Sequence, residues 1–145
     1  MSTARAKLET FLKLLLEADE HVRGAFLIDA SPEGGGFPLY TILKPEVEEE
    51  NIGPEIETGE VVGGILLETY EMLKKLTSSE YLNLGQLERV IINGEKATAI
   101  IKSFKTTKIV FLLFGRREMK TGFIITLLER IWPELEKLAK ESFSP

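Results

Sequence analysis

Two short segments, Gly24–Asp29 (GAFLID) and Lys108–Phe114 (KIVFLLF), carry apolar side chains at consecutive positions, six in a row in the second. Successive side chains of a strand point to opposite faces. Strands like these must be covered on both sides, so they belong in the centre of a sheet with helices on each face. At 145 residues the chain suits one compact domain over 1–145.

The rest of the chain supplies the other layers. Thr3–His21 reads as a helix, with Leu8, Phe11, Leu12, Leu15 and Leu16 at helical spacing, and Gly24 is read as its stop. Pro32 and Gly34–Gly36 mark a flexible connector. Phe37–Lys44 is a strand that Pro38 confines to a sheet edge. The acidic stretch 46–57 reads as a loop, and Thr58 to about Ser79 as a long helix with Thr58 as its N-cap. A β-meander follows: Leu87–Ile92, an Asn93-Gly94 type I′ turn, Glu95–Phe104, a turn at Lys105–Thr107, then Lys108–Phe114. A final helix starts at Thr121, and Pro133 either kinks it or opens a second short one. The expected class is an α/β sandwich in the order α-β-β-α-β-β-β-α: a five-stranded mixed or antiparallel sheet whose edges are 37–44 and 87–92.

The two edges differ. Pro38 blocks pairing at the first, whereas 87–92 is unblocked and carries Val90, Ile91 and Ile92. Such an edge is an aggregation hazard unless it pairs, and the simplest partner is the same strand of a second copy about a two-fold axis. The long helix agrees. Its apolar residues cover about half its circumference, Val61, Ile65, Met72 and Leu76 on one side, Val62, Leu66, Tyr70 and Leu73 on the other. A surface helix needs a stripe of only ~100°, so one side is expected to meet a partner, with Gly63 and Gly64 allowing close approach by another chain. The expected interface comprises Val62, Leu66, Tyr70, Leu73, Leu87, Arg89, Val90, Ile91 and Ile92.

The segment Val22-x-Gly24-Ala25-Phe26-Leu27-Ile28-Asp29 followed by Gly36-Phe37-Pro38-Leu39 resembles the N-terminal hallmark of the Roadblock family, which includes dynein light chains and prokaryotic regulators of small Ras-like GTPases. Leu84-Gly85-Gln86-Leu87-Glu88-Arg89-Val90-Ile91-Ile92 is similar to the family's lead into its third strand, and Thr121-Gly122-Phe123-Ile124 to its turn into the last helix. The resemblance implies a profilin-like sandwich, a homodimer or heterodimer whose third strands join two sheets beside paired second helices, and a role as an adaptor for a small GTPase. It carries over no catalytic residue. Two departures are the long loop Ala30–Gly35 and the long acidic stretch.

Composition excludes several chemistries. With no Cys and one histidine, His21, thiolate metal sites, disulfides and multi-histidine sites are ruled out, and a Ser-His-Asp triad is disfavoured. A net charge of −5 argues against nucleic acid as a partner. No apolar run approaches the ~20 residues of a membrane span, so the chain reads as a soluble cytoplasmic protein without membrane insertion. Gly34–Gly36 lacks the Lys and Ser/Thr of a phosphate-binding loop. Lys120-Thr121-Gly122 matches a β-lactamase fragment, but no Ser-x-x-Lys accompanies it. Glu46, Glu48, Glu49, Glu50, Glu55, Glu57 and Glu60 lack EF-hand spacing and read as a solvated loop, while Asp29 reads as the cap of the turn after its strand. No cofactor or metal is expected. Among the basic residues, Arg116, Arg117 and Lys120 are the candidate contacts for an acidic partner. The first reading is a non-enzymatic homodimeric adaptor for a small GTPase. The alternatives are an assembly subunit without a GTPase and a small-molecule sensor domain. Scarce Gln and Asn beside abundant Glu and Lys also suggest a thermophile, and a melting temperature above the mesophile range of ~45–65 °C is the expected result.

Overall fold

The computed structural model describes residues 3–45 and 55–143, with 55–60 as backbone. In chain order the described elements are α1 (Thr3–Glu17), β1 (Val22–Asp29), β2 (Pro38–Leu43), α2 (Glu55–Thr77), β3 (Val90–Asn93), β4 (Ala97–Ser103), β5 (Ile109–Arg116) and α3 (Thr121–Phe143). The strands form one sheet, β2-β1-β5-β4-β3, antiparallel throughout. The two doubly apolar strands, β1 and β5, lie side by side in the interior, as their sequence requires.

The register sorts every strand residue onto one of two faces. Ala25, Leu27, Phe111, Leu113 and Ile100 meet Leu8, Leu12 and Leu15 of α1 and Ile124, Leu128 and Leu135 of α3. These two helices run antiparallel, since the Arg5 guanidinium at the start of α1 lies 5.2 Å from the Phe143 ring at the end of α3. On the opposite face Phe26, Ile28, Val110, Leu112 and Ile101 pack against Leu66 and Tyr70 of α2. Each fully buried aliphatic side chain contributes roughly 1.5–3 kcal/mol, so both layers are needed.

The local differences from the sequence reading have physical causes. α1 ends at Glu17, four residues before His21, because the Asp19 carboxylate takes over the backbone: it accepts the N–H of His21 at 2.8 Å and the N–H of Lys120 at 2.8 Å. Gly24 is not a stop but part of β1. The turn after β3 is not type I′, because neither Asn93 nor Gly94 has positive φ. Asn93 stays in the ladder opposite Thr98, and Gly94 N–H donates to the Ala97 carbonyl at 2.8 Å, which makes the loop longer than two residues. α3 runs through Pro133 without breaking into two. α2 is already helical at Glu55, so Thr58 lies inside it rather than capping it. Of the acidic stretch, 46–54 fall outside the described residues.

The connector 31–36 is tightly bonded. Asp29 Oδ1 accepts the Ser31 N–H at 2.9 Å, which caps the turn as its position suggests. The Gly36 N–H donates back to the Asp29 carbonyl at 3.0 Å. This loop meets α2 at a point where neither side has room for a side chain. A Cβ on Gly63 would fall on the Gly36 carbonyl oxygen, whereas one on Gly64 would meet nothing. The close approach that Gly63 permits is therefore to the chain's own loop.

Two outcomes follow for folding stability. Gly63→Ala should cost ~1–3 kcal/mol by overpacking against immobile backbone, while Gly64→Ala should gain up to ~1 kcal/mol of helix propensity, both read from urea unfolding. Burial pushes the Asp19 carboxyl up, but the N–H bonds from Lys120 and His21, with the nearby positive charge of both residues, hold it below its ordinary value. Its native pKa is thus lower than in the unfolded chain. The stability it contributes is present above ~pH 3.9 and is lost as pH falls through the lowered value. Asp19→Asn should cost ~1–3 kcal/mol at neutral pH and show a shallower acid limb in a pH series of urea midpoints.

Candidate functional site

The face of the sheet under α2 is unevenly covered. α2 crosses the strands: a Cβ on Gly63 would lie 3.3 Å from Ile28 of β1, and seven residues later the Tyr70 hydroxyl donates to Ser103 Oγ of β4 at 2.7 Å. Those seven residues span ~10.5 Å of helix, matching the ~9.6 Å between two strands one apart. The helix therefore covers the end of the sheet that holds Ile28, Val110 and Ser103. Toward the other end, the row Leu43, Phe114, Ala99 and Ile92 is only half-buried or exposed.

This path decides which side of α2 is free, and it corrects the expected interface. Leu66 and Tyr70 are buried in the chain's own core, and Val62 packs beside them half-buried. Leu73 is half-buried as well. The free stripe is the opposite side, Val61, Ile65, Met72 and Leu76, each half to two-thirds exposed. A half-circumference of apolar residues does not say which half faces inward. Gly63 was the available signal, since it lies on the inward side where the Gly36 loop closes on the helix.

The edge strand divides in the same way. β3 is shorter than expected, Val90–Asn93, and pairs only with β4, so its outer backbone edge is free among the described residues. Ile91 and Ile92 are exposed, at 41% and 48%. Val90 is half-buried against the α2 layer, as is Leu87, which precedes the strand. Arg89 is engaged inside the chain: its Nη2 lies 3.0 Å from Glu129 Oε1 on α3. Lys102 Nζ reaches the same oxygen at 3.4 Å and sits 5.1 Å from the Trp132 ring. The Arg89 hydrogen bond, aided by Lys102 and opposed by partial burial, holds the Glu129 carboxyl below its ordinary value.

Two further exposed apolar features escaped the sequence reading. Phe37, beside the Gly36 loop, is exposed. So are Tyr81, Leu82 and Leu84 in the connection from α2 to β3. The basic candidates Arg116, Arg117 and Lys120 are exposed at the β5–α3 turn. Lys105 and Lys108 lie at the opposite end of β5, so no single basic patch forms. Among the described residues no three His, Cys, Asp or Glu side chains gather as a metal site, and no helix is long and apolar enough to cross a membrane.

The assembled geometry is an antiparallel five-stranded sheet with two helices on one face, one on the other, and a free third strand. Solved structures share this arrangement of helices and sheet. A structure described as MglB with tetrameric arrangement superposes with TM-score 0.73 over 99% of this chain and 95% of that chain, at 15% identity. The gliding protein MglB from Thermus thermophilus gives 0.74 over 97% and 94%, also at 15% identity. A Roadblock/LC7 domain from Streptomyces avermitilis gives 0.61 over 87% and 95%, at 11% identity. The chain has the Roadblock/LC7 fold. No protein-family model matches the sequence, and no curated protein does. The Roadblock/LC7 likeness is therefore carried by architecture, with the sequence motifs at Gly24–Asp29 and Leu84–Ile92 placed on β1 and on the approach to β3.

Proposed function

We propose that this chain is a Roadblock-type, non-enzymatic adaptor that forms a homodimer and binds or regulates a small Ras-like GTPase. The observation that carries the reading is a free β3 edge flanked by an exposed apolar stripe on α2. Edge-to-edge pairing of β3 with the same strand of a second copy satisfies both sets of backbone groups, and the α2 stripe then buries against its counterpart. The tetrameric arrangement of one MglB structure supports self-association in this fold. The GTPase part rests on the sequence resemblance to prokaryotic GTPase regulators. An adaptor of this kind acts by binding one conformation of its partner better than another, which needs no catalytic residue of its own. Arg116, Arg117 and Lys120 serve an acidic partner by speeding encounter.

Ile92→Lys places a charge on the exposed edge without touching the core. It should halve the mass measured by light scattering, and an unchanged mass would overturn edge pairing. Titration of the purified chain with a small Ras-like GTPase from the same organism should give different affinities for the GDP and GTP-analogue forms. Absence of binding in both forms removes the GTPase reading and leaves an assembly subunit.

A further inference from the structure

We infer that residues 79–85 form an arm that seats on the second copy of the chain. The inference rests on the β3-paired homodimer proposed above and adds a component to it. The path of α2 sets the arm's position. The helix stands over β4 at Tyr70 through the bond to Ser103, so the sheet's outer margin, ~4.8 Å further on, is reached about three residues later, near Leu73, beside the start of β3, where Val90 pairs with Ile101. Leu76, Thr77 and the connection that follows lie beyond the sheet's own edge. In the paired dimer the partner's β3 occupies the next strand position, alongside that overhang.

The arm has a defined shape. Ser78 N–H donates to the Lys74 carbonyl at 3.1 Å, and Asn83 N–H to the Ser79 carbonyl at 2.9 Å. Ser79 Oγ accepts the Tyr81 N–H at 3.2 Å. Asn83 has φ 51°, the sole positive φ at a non-glycine among the described residues, and Gly85 has φ 82°. Both residue types take up this region readily, Gly for want of a Cβ and Asn through its short polar side chain. What the arm displays is apolar: Tyr81 is 98% exposed, and Leu82 and Leu84 are at least half exposed.

Interface size points to the same occupant. A stable dimer buries about 800 Å² per partner over some 20–30 residues. The edge and the stripe offer six large exposed apolar side chains: Val61, Ile65, Met72, Leu76, Ile91 and Ile92. A seated tyrosine alone removes ~150–250 Å² from water, so the arm adds substantially to what the edge and stripe offer. It is also continuous with both, following directly from α2 and leading directly into β3.

The test is the double variant Tyr81→Ser with Leu84→Ser, compared with the unmodified chain by sedimentation equilibrium. The dimer dissociation constant should rise about tenfold to hundredfold. The melting temperature at concentrations where the unmodified chain is monomeric should stay unchanged, because these side chains touch no core. As a second measurement, Leu82→Cys gives the chain its only thiol. Maleimide should modify it several-fold more slowly above the dissociation constant than below it. Equal dissociation constants for double variant and unmodified chain overturn the arm while the dimer stands. A chain monomeric at every concentration overturns the dimer and the arm together. An unchanged dimer with weakened binding to a purified GTPase assigns the arm to that partner and overturns the second copy as its occupant.

Discussion

The pairing of β1 with β5 holds the structure together. Both strands are apolar on two faces, so neither tolerates water on either side, and their register from Val22 opposite Gly115 to Asp29 opposite Ile109 welds the two layers into one body. α1 and α3 together satisfy one face. On the other, a single helix runs across the strands and satisfies one end. The asymmetry, two helices against one, leaves an apolar margin on the α2 side.

Most of the architecture was legible because it follows from alternation and its absence. Consecutive apolar positions in 24–29 and 108–114 located the sheet centre. Pro38 marked one edge, and the meander from 87 to 114 marked the other. What stayed hidden depended on single long-range contacts. Asp19 ends α1 through a bond to Lys120, 101 residues away, and no local pattern reveals it. Asn93-Gly94 carried the residues of a tight turn, but pairing of Asn93 with Thr98 across the ladder outweighed that preference.

The same limit explains the reversed assignment on α2. Apolar periodicity gave an arc of the right width, and two halves of equal hydrophobicity are interchangeable until something fixes the helix's rotation. Here a backbone contact with no side chain on either partner, Gly36 against Gly63, fixes it. From sequence alone, glycine in this helix suggests close approach by a neighbouring chain. It is a docking point for the chain's own loop, which lets α2 settle deeply enough to bury Leu66 and Tyr70.

The ion cluster of Arg89, Lys102 and Glu129 has a consequence for association. Arg89 sits one residue before β3, and its guanidinium is fastened to α3 on the far side of the sheet. The start of the edge strand is thereby anchored from behind, in the isolated chain, before any neighbour arrives. A strand start held in this way has less conformational freedom for a binding event to remove, and preorganisation of this kind strengthens affinity without adding a contact. One carboxylate on α3 thus tethers the head of the open margin to the opposite layer.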